Sequence, residues 1–245
     1  MGISLVLLAY NEADNLRILL PEIIENLKKC ELAYEILVID TQKPTDDTEQ
    51  VCAQYGARYI NQEEPFFGGA FKTAIRHAGM SMFLIMDSDG SHPPKYIPAI
   101  YNKFVQGQYD VVIGSRYVKG GVTNDRKSSQ IMSRILNTTF RLCLGIHAKD
   151  ISTDYRMYDT NQLKKVHLTC KNYDVLQEVL LKLKMNNKNL KIGEVPISFC
   201  KRVYGESKRQ LFKFILSYMK TLAYLTGMRI SYSMGMIIRR KKKRS

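Results

Sequence analysis

The sequence has few of the signals that mark secreted or metal-stapled proteins. Its five cysteines are odd in number and widely separated, and none lies in a C-x-x-C or Cys/His pattern. This spacing excludes a disulfide framework and a zinc site of the usual kind, so we expect reduced core cysteines in a protein of the cytosolic side. The apolar run 3–9 has no basic segment before it and no small-residue cleavage site after it. We therefore expect a first core strand there, not a signal peptide.

Long apolar segments and the common phosphate-binding glycine motifs are also missing. The longest uncharged run near the C-terminus covers residues 230–238, well short of the roughly 18–20 apolar residues that a membrane span requires. No G-x-G-x-x-G follows the first predicted strand, and Gly205-Glu206-Ser207-Lys208 lacks the P-loop spacing. These absences exclude a polytopic membrane protein, a Rossmann dinucleotide site and a P-loop.

Acidic residues are scarce in the second part of the chain. The 245 residues carry a formal charge of +14, yet residues 1–92 contain 7 basic and 14 acidic side chains, against 30 basic and 9 acidic in residues 93–245. An acidic first part suits carboxylates that hold a cation. A basic second part suits attraction to phosphates on a nucleotide, a nucleic acid or an anionic lipid surface.

Apolar runs of strand length alternate with amphipathic stretches through the first half, which is typical of βα units that feed a mostly parallel sheet. The sequence therefore predicts an α/β fold with helices flanking a central sheet. We predict strands at about 3–9, 35–40, 57–60, 81–87, 110–114 and 190–199. We predict helices near 13–30, 46–55, 69–79, 94–106, 128–144, 174–186 and from about 208.

The domain organisation predicted is a catalytic domain over residues 1–207 and a helical, basic C-terminal segment over 208–245. Apolar residues recur at helical spacing in that segment, lysines and arginines interrupt them, and a run of six basic residues occupies 239–244. This pattern favours an interfacial helix followed by a polybasic membrane anchor. The alternative is a C-terminal helix packed on the core with a basic tip.

Polar residues follow four of the predicted strands. In open α/β sheets ligands bind outside the carboxyl ends of the strands, so we expect these four loops to converge on one polar crevice. The segments are Tyr10-Asn11-Glu12, Asp40, Asp87-Ser88-Asp89 and Gly114-Ser115-Arg116.

The pair Asp87 and Asp89 carries the most specific chemistry. Two carboxylates spaced i, i+2 in a turn can reach one hard divalent cation, Mg²⁺ or Mn²⁺, whose other positions are filled by water and phosphate oxygens. A cation held in this way neutralises charge on a leaving diphosphate.

Taken in order, these motifs resemble the dolichol-phosphate (polyprenyl-phosphate) mannosyltransferase group of glycosyltransferase family 2. The similarity covers about residues 3–215. It rests on Tyr10-Asn11-Glu12, Asp40, the run from Asp87 to Pro93, Gly114 to Tyr117, Arg156 to Tyr158, Ile192 to Ile197 and Arg202 to Lys208.

This resemblance implies an enzyme with a nucleotide-sugar transferase (GT-A type) fold, a nucleoside-diphosphate-sugar donor, Mg²⁺ or Mn²⁺, inversion at the anomeric carbon and a polyprenyl phosphate acceptor. It also implies peripheral attachment to the cytoplasmic face of a membrane, and it leaves room for a membrane-protein partner subunit.

The resemblance further implies a role for particular residues. Implied donor-binding residues are Ala9, Tyr10, Glu12, Asp40, Asp87 and Ser88. Implied metal ligands are Asp87, Asp89 and Ser91. Implied catalytic residues are Asp89, Arg116, Arg202 and Lys208, and Ser133 and Arg134 are implied at the acceptor phosphate.

The residues themselves suit such a reaction. A lipid phosphate is already an anion near neutral pH, since the second pKa of a phosphomonoester is about 6, so no strong general base is needed. The site must place two phosphate groups in line and stabilise the departing diphosphate with cations. Arginine forks bind phosphate oxygens bidentately. The candidates for this role are Arg116, Arg126, Arg134, Arg156 and Arg202.

The chain departs from the family pattern at four places. Leu8 stands where the family usually has proline. Thr41 stands where a second acid commonly helps to read the base, which leaves guanine and uracil open. Thr153-Asp154 replaces a small pair, and the glycine-rich loop is kept only as Phe67-Gly68-Gly69-Ala70. Mannose is therefore the default sugar, with a UDP-hexose open beside it. His92, which precedes two prolines, is expected to be structural.

Three alternatives remain. One is a family 2 transferase that acts on a glycan acceptor. Another is a basic nucleic-acid-binding protein. Against it, the acidic first half would repel a polyanion, and no aromatic residues interleave with the terminal basic run. We therefore expect no nucleic-acid partner. The last is a non-catalytic transferase fold that serves as a partner subunit, against which stands the presence of both Asp87 and Asp89.

Overall fold

The computed structural model describes residues 1–124, 127–200 and 211–242, and within the last range the side chains of 218–234. The strands are β1 (Gly2–Leu8), β2 (Ala33–Asp40), β3 (Arg58–Asn61), β4 (Met82–Asp87), β5 (Val111–Ser115), β6 (Val122–Thr123), β7 (Arg156–Asp159), β8 (Ile192–Pro196) and β9 (Ser198–Phe199). The helices are α1 (Ala13–Lys28), α2 (Thr48–Gln54), α3 (Phe66–His77), α4 (Ile97–Gln106), α5 (Lys127–Leu144), α6 (Thr160–Lys164), α7 (Val175–Asn186) and α8 (Leu211–Lys242), with a 3₁₀ turn at Pro94–Tyr96.

Seven strands form one sheet in the order β3-β2-β1-β4-β7-β5-β8. All neighbouring pairs are parallel except those of β7, which runs antiparallel to both β4 and β5. The mostly parallel α/β architecture predicted from the sequence is confirmed. The sequence did not predict β7, because four residues that include an arginine and an aspartate lack the apolar density of a strand.

The strand predicted near 190–199 is two strands in the structure. β8 pairs with β5 in the main sheet, whereas β9 pairs with β6 in a separate two-stranded ribbon. The chain leaves the main sheet at Ile197, whose backbone N–H donates to Ser115 O at 3.1 Å.

The sheet is buried on both faces, which explains why its strands read as nearly continuous apolar runs. Val6, Leu37 and Ile85 face a core that includes residues of α3, α5, α7 and α8. Leu5, Val38 and Leu84 face a second core with residues of α1, α2 and α4. Because side chains alternate along a strand, each apolar run serves both cores.

The helix α1 shows how the pattern of the sequence orients an element. Leu16, Leu20, Ile23 and Leu27 recur at helical spacing and are all buried against the sheet. Because β1 to β4 run parallel to one another, their carboxyl ends lie on the same side of the sheet, and the loops that follow them meet there.

The C-terminal helix α8 packs on α5 and α7 along its described side chains. Tyr218 and Leu225 are buried in the core, and Tyr232 Oη donates to Met185 O at 2.6 Å. This arrangement matches the alternative of a packed C-terminal helix. Among the residues that the structure describes, no helix is both long enough and apolar enough to cross a bilayer. The predicted domain boundary at 207/208 lies outside the described residues.

Candidate active site

A cavity of about 940 Å³ opens at the carboxyl ends of β1, β2 and β4. Ligand sites of this size hold molecules as large as a nucleoside diphosphate sugar. Six of the residues predicted for the site line it: Ala9, Tyr10, Glu12, Asp87, Ser88 and Asp89. The loops after the first, second and fourth predicted strands converge on this cavity, whereas Gly114, Ser115 and Arg116, expected in the same crevice, are not among the residues that line it.

The turn after β4 brings the predicted metal ligands together. Ser91 Oγ donates to Asp87 Oδ2 at 3.0 Å, and the Ser91 backbone N–H donates to Asp89 Oδ1 at 2.9 Å. Ser88 Oγ donates to Leu8 O at 2.8 Å and so ties the turn to the end of β1. These bonds hold both carboxylates against one wall of the cavity.

His92 braces this turn from behind. Its Nδ1 accepts the Asp87 backbone N–H at 3.1 Å, and its Nε2 lies 3.2 Å from Thr153 Oγ1. Nδ1 as an acceptor places the ring proton on Nε2, which donates to the Thr153 hydroxyl. Complete burial lowers the pKa of His92 and favours this neutral form. The structural role expected for His92 agrees with these contacts.

Asp154 is a buried acid beside the same turn. One of its carboxylate oxygens lies 3.5 Å from His92 Nδ1, and Asp87 Oδ2 lies 3.3 Å from that nitrogen. Burial, and after it the negative charge of Asp87, raises the pKa of Asp154 well above its usual range. Both effects favour the protonated form of Asp154 over its carboxylate.

The donor atoms at this wall fit a hard divalent cation. Asp87, His92 and Asp154 each place a ligating atom within 4.8 Å of the others. His92 Nδ1, however, is engaged by the Asp87 N–H. The carboxylates of Asp87 and Asp89, both in the cavity lining, present the oxygen ligands that Mg²⁺ and Mn²⁺ prefer.

Asp40 differs from the other predicted donor-binding residues because it is fully buried beneath the cavity floor. Its Oδ1 accepts the Thr41 N–H at 2.7 Å, and its Oδ2 accepts the Tyr59 hydroxyl at 3.1 Å. Burial raises the pKa of Asp40. In this position Asp40 shapes the end of β2, while its neighbour Thr41 faces the cavity.

A cationic cluster lies beyond the metal wall. The guanidinium groups of Arg116 and Arg134 lie 5.2 and 5.4 Å from the ring centroid of Tyr117. Arg116 also lies 5.2 Å from the ring of Phe199, which in turn makes an edge contact with His92 at 5.3 Å. The Phe199 ring therefore lies between Arg116 and His92, the residue next to the turn that carries Asp87 and Asp89.

Arg116 is held in place by a buried acid. Its Nε and Nη2 donate to the two carboxylate oxygens of Asp150 at 2.8 and 2.9 Å. Burial alone would raise the pKa of Asp150, but the hydrogen bonds and charge of Arg116 outweigh it and lower that pKa. Glu194 accepts the backbone N–H of Asp150 at 3.1 Å and so anchors the pair to β8.

A hydrogen-bonded chain connects this pair with α5. Arg116 Nη2 donates to Ser152 Oγ at 2.8 Å, and Asn137 Nδ2 donates to Ser152 Oγ at 3.1 Å. Asn137 Nδ2 also lies 3.4 Å from Ser133 Oγ. The structure thus places Ser133, Arg134 and Arg116 in one neighbourhood.

Arg156 does not belong to this neighbourhood. It is completely buried, and its guanidinium donates to Leu176 O and Ile151 O, both at 2.7 Å, and to Tyr158 Oη at 3.2 Å. Its inclusion among the phosphate-binding arginines is therefore corrected: it is a structural residue that joins β7 to α7. Arg126, Arg202 and Lys208 lie outside the described residues.

The sequence did not indicate several cavity residues. Asn172 and Tyr173 come from the loop before α7, Gln62 and Pro65 come from the loop after β3, and Phe66 is the first residue of α3. A local pattern cannot show that a loop about 85 residues beyond Asp87 returns to the same cavity. For Asp154 a signal existed, since it is an acid where the family has a small residue.

The comparisons with known proteins agree with this geometry. The family model of glycosyl transferase family 2 matches residues 4–166. A dolichol-phosphate mannosyltransferase of Pyrococcus furiosus is 30% identical over 225 residues, which are 88% of this chain and 62% of that protein. A polyprenol monophosphomannose synthase of Mycolicibacterium smegmatis is 30% identical over 214 residues, 81% of this chain and 77% of that protein.

Solved structures show the same fold at lower identity. Glucosyl-3-phosphoglycerate synthase of Mycobacterium tuberculosis with Mg²⁺ and uridine diphosphate has a TM-score of 0.71 at 18% identity, over 92% of this chain and 79% of that one. The same enzyme with Mn²⁺, uridine diphosphate and glucosyl-3-phosphoglycerate has a TM-score of 0.70 at 20% identity, over 92% and 80%. The expected nucleotide-sugar transferase (GT-A type) fold is confirmed. Fold and family match together show that this chain belongs to glycosyltransferase family 2.

Proposed function

We propose that this chain transfers one sugar, with inversion, from a nucleoside diphosphate sugar to a polyprenyl phosphate. The observation that carries the proposal is the adjacency of two sites. A cavity large enough for the donor is lined by Asp87 and Asp89. The Phe199 ring lies between His92, which braces their turn, and Arg116, which shares the Tyr117 ring with Arg134. Two phosphate-bearing substrates could meet at that boundary.

The donor occupies the cavity in this proposal. Ala9, Tyr10, Glu12 and Ser88 surround the nucleotide, and Asp40 supports it from below through Thr41. Asp87 and Asp89, with Ser91 behind them, hold Mg²⁺ or Mn²⁺, which when bound neutralises the leaving diphosphate.

The acceptor phosphate approaches from the arginine side. Ser133 and Arg134 bind it, and Arg116, fixed by Asp150, orients it toward the anomeric carbon. Arg202 and Lys208 are assigned to the same phosphates by their place in the family motif. Because the acceptor is already anionic, these residues act by placement and charge and remove no proton.

Peripheral attachment at the cytoplasmic face of a membrane completes the proposal. Ile131, Ile135 and Leu142 lie on one stripe of α5 and are each more than half exposed, and Met219 and Ile230 are exposed on α8. Exposed apolar side chains next to basic ones are typical of helices that lie on anionic bilayers. The relatives named for dolichol and polyprenol products support a lipid acceptor. A membrane-protein partner subunit would be an addition to this arrangement.

A donor panel tests the proposal. GDP-mannose, UDP-glucose, UDP-galactose and UDP-N-acetylglucosamine, each labelled in the sugar, are incubated with Mg²⁺ or Mn²⁺, with and without undecaprenyl or dolichyl phosphate. Labelled sugar is then counted in the organic phase. We expect one donor to give a product that depends on both metal and lipid phosphate.

The relatives make GDP-mannose the first donor to test. Label that stays in the aqueous phase on a glycan would favour the other acceptor class. No transfer from any of the donors by folded protein would contradict the proposal for these substrates.

A further inference from the structure

Phe66 combines an unfavourable backbone with an exposed ring. Its φ is +69°, in the left-handed region that residues with a Cβ avoid, and its side chain is 57% exposed. A bulky residue in this region is an outlier that costs conformational free energy. The ring offsets little of that cost by burial, because more than half of it faces solvent.

The neighbouring glycines show what the fold requires of the first turn of α3. A Cβ on Gly68 would lie 2.3 Å from Cys170 O, and a Cβ on Gly69 would lie 2.0 Å from Glu64 O. These two positions need glycine for close packing. At Phe66 the backbone favours glycine, yet the sequence holds an aromatic residue. The packing of the fold does not explain why an aromatic residue occupies position 66.

Phe66 lines the cavity together with residues of the loops that follow β2 and β3. The cavity is lined by the ends of β1, β2 and β4 and by the loop that follows β3. In the order β3-β2-β1-β4, the outer strand lies three strand spacings, about 14 Å, from the strand that carries Asp87. Gln42 Nε2 donates to Glu63 O at 3.2 Å, which holds the segment that leads into Phe66 beside the end of β2, two strands from the strand that carries Asp87. A nucleotide whose diphosphate lies at Asp87 and Asp89 would extend its base toward this segment.

Polar groups line the same cavity as the Phe66 ring. They include Thr41, Gln42 and Gln62, and the backbone N–H of Gln62 donates to Asp40 O at 2.8 Å, which holds Gln62 beside the end of β2. A purine or pyrimidine presents a flat apolar face and a polar edge, and both would find partners here. A polyprenyl chain would bury these amides without hydrogen bonds, which is unfavourable.

We propose that Phe66 is the stacking platform for the nucleobase of the donor, with Gln62 and the carboxamide oxygen of Gln42 lining the same cavity beside its edge. The inference rests on the proposed function and adds a binding residue to it. The strained conformation turns the ring out of the core and into the cavity. The next residue, Phe67, fixes the start of α3, because its ring is stacked on that of Tyr173 with the centroids 4.3 Å apart.

The test is calorimetric titration of the full chain with GDP, with UDP and with inorganic pyrophosphate, all in Mg²⁺. The variants are Phe66→Gly, Phe66→Leu and Phe66→Tyr. Base stacking on an aromatic side chain predicts that Phe66→Gly weakens the preferred nucleotide at least about fivefold and that Phe66→Tyr stays within about twofold. Pyrophosphate has no base, so its affinity should not change.

Gln108→Gly is the matched control. Gln108 also has a left-handed φ, +47°, but it precedes β5 at the opposite edge of the sheet. Glycine relieves the backbone at either position. Both glycine variants should therefore melt at or above the wild-type temperature, while only Phe66→Gly loses nucleotide affinity.

The outcomes separate the two proposals. Wild-type binding that persists unchanged in Phe66→Gly overturns the stacking role and leaves the proposed function standing. An equal loss of pyrophosphate affinity also overturns it, since the effect would not depend on the base. If the wild type binds neither nucleotide, the proposed function fails and the inference fails with it.

Discussion

Replacing Asp150 by asparagine should destabilise the fold through Arg116. Asp150 is completely buried and accepts two hydrogen bonds from the guanidinium, and the Arg116 side chain is only 9% exposed. Asparagine keeps the shape but removes the charge, so a cation is left in the interior without its partner. Breaking a buried ion pair from one side costs about 3–5 kcal/mol. We expect the lower value, about 3 kcal/mol, because the amide oxygen still accepts one bond.

The effect should also depend on pH. Because the folded protein lowers the pKa of Asp150, its ionised carboxylate contributes stability at any pH above the unfolded value of about 3.9. That contribution is lost as the pH falls through the lower, folded pKa. The stability difference between wild type and Asp150→Asn should therefore be constant from about pH 8 to pH 5 and shrink below about pH 4.

Urea and thermal unfolding followed by circular dichroism measure both effects. A loss of 3 kcal/mol in a chain of this size corresponds to a decrease of roughly 6–12 °C in melting temperature. The double variant Asp150→Asn/Arg116→Gln removes the stranded cation and should recover part of the loss. A single variant that unfolds within about 0.5 kcal/mol of wild type, or a difference that does not shrink in acid, would refute this reasoning.

Three further predictions concern the cation, the C-terminus and the interior. Asp89→Ala should abolish metal-dependent sugar transfer while the circular dichroism spectrum is kept; full activity would remove Asp89 from the metal site. Deletion of residues 239–245 should weaken binding to anionic vesicles, because each basic residue near such a surface contributes about 1 kcal/mol. The loss should be larger at low salt. Vesicle sedimentation equal to wild type at every salt concentration would exclude the anchor. Arg156→Met should lower the free energy of unfolding by about 1–3 kcal/mol, because Leu176 O loses its side-chain donor, whereas Ile151 O keeps a bond from Gln177 Nε2 at 3.0 Å. A denaturation midpoint unchanged from wild type would show that the Leu176 carbonyl finds another partner.

Much of the fold could be predicted because, in the first half of the chain, the local sequence pattern agrees with the strands and helices that form. Each parallel strand is an apolar run that ends in a polar residue, and the helices between them repeat apolar residues at helical spacing. Asp87 and Asp89 could be placed at the sheet edge because a buried strand directly precedes them. The strand β7 could not, since it is short, polar at both ends and stabilised by pairing with β4 and β5.

For the individual side chains too, some properties follow from the sequence and others only from the tertiary structure. The sequence alone determined which loops carry carboxylates and arginines, because side-chain type and position after a strand are local properties. Only the tertiary structure decided that Arg156 is structural, that Asp150 holds Arg116 and that Asp154 lies against the turn of Asp87. The pairing of buried charges depends on which distant segments pack together and exclude water from one another. The spacing of residues along the chain does not show which segments these are.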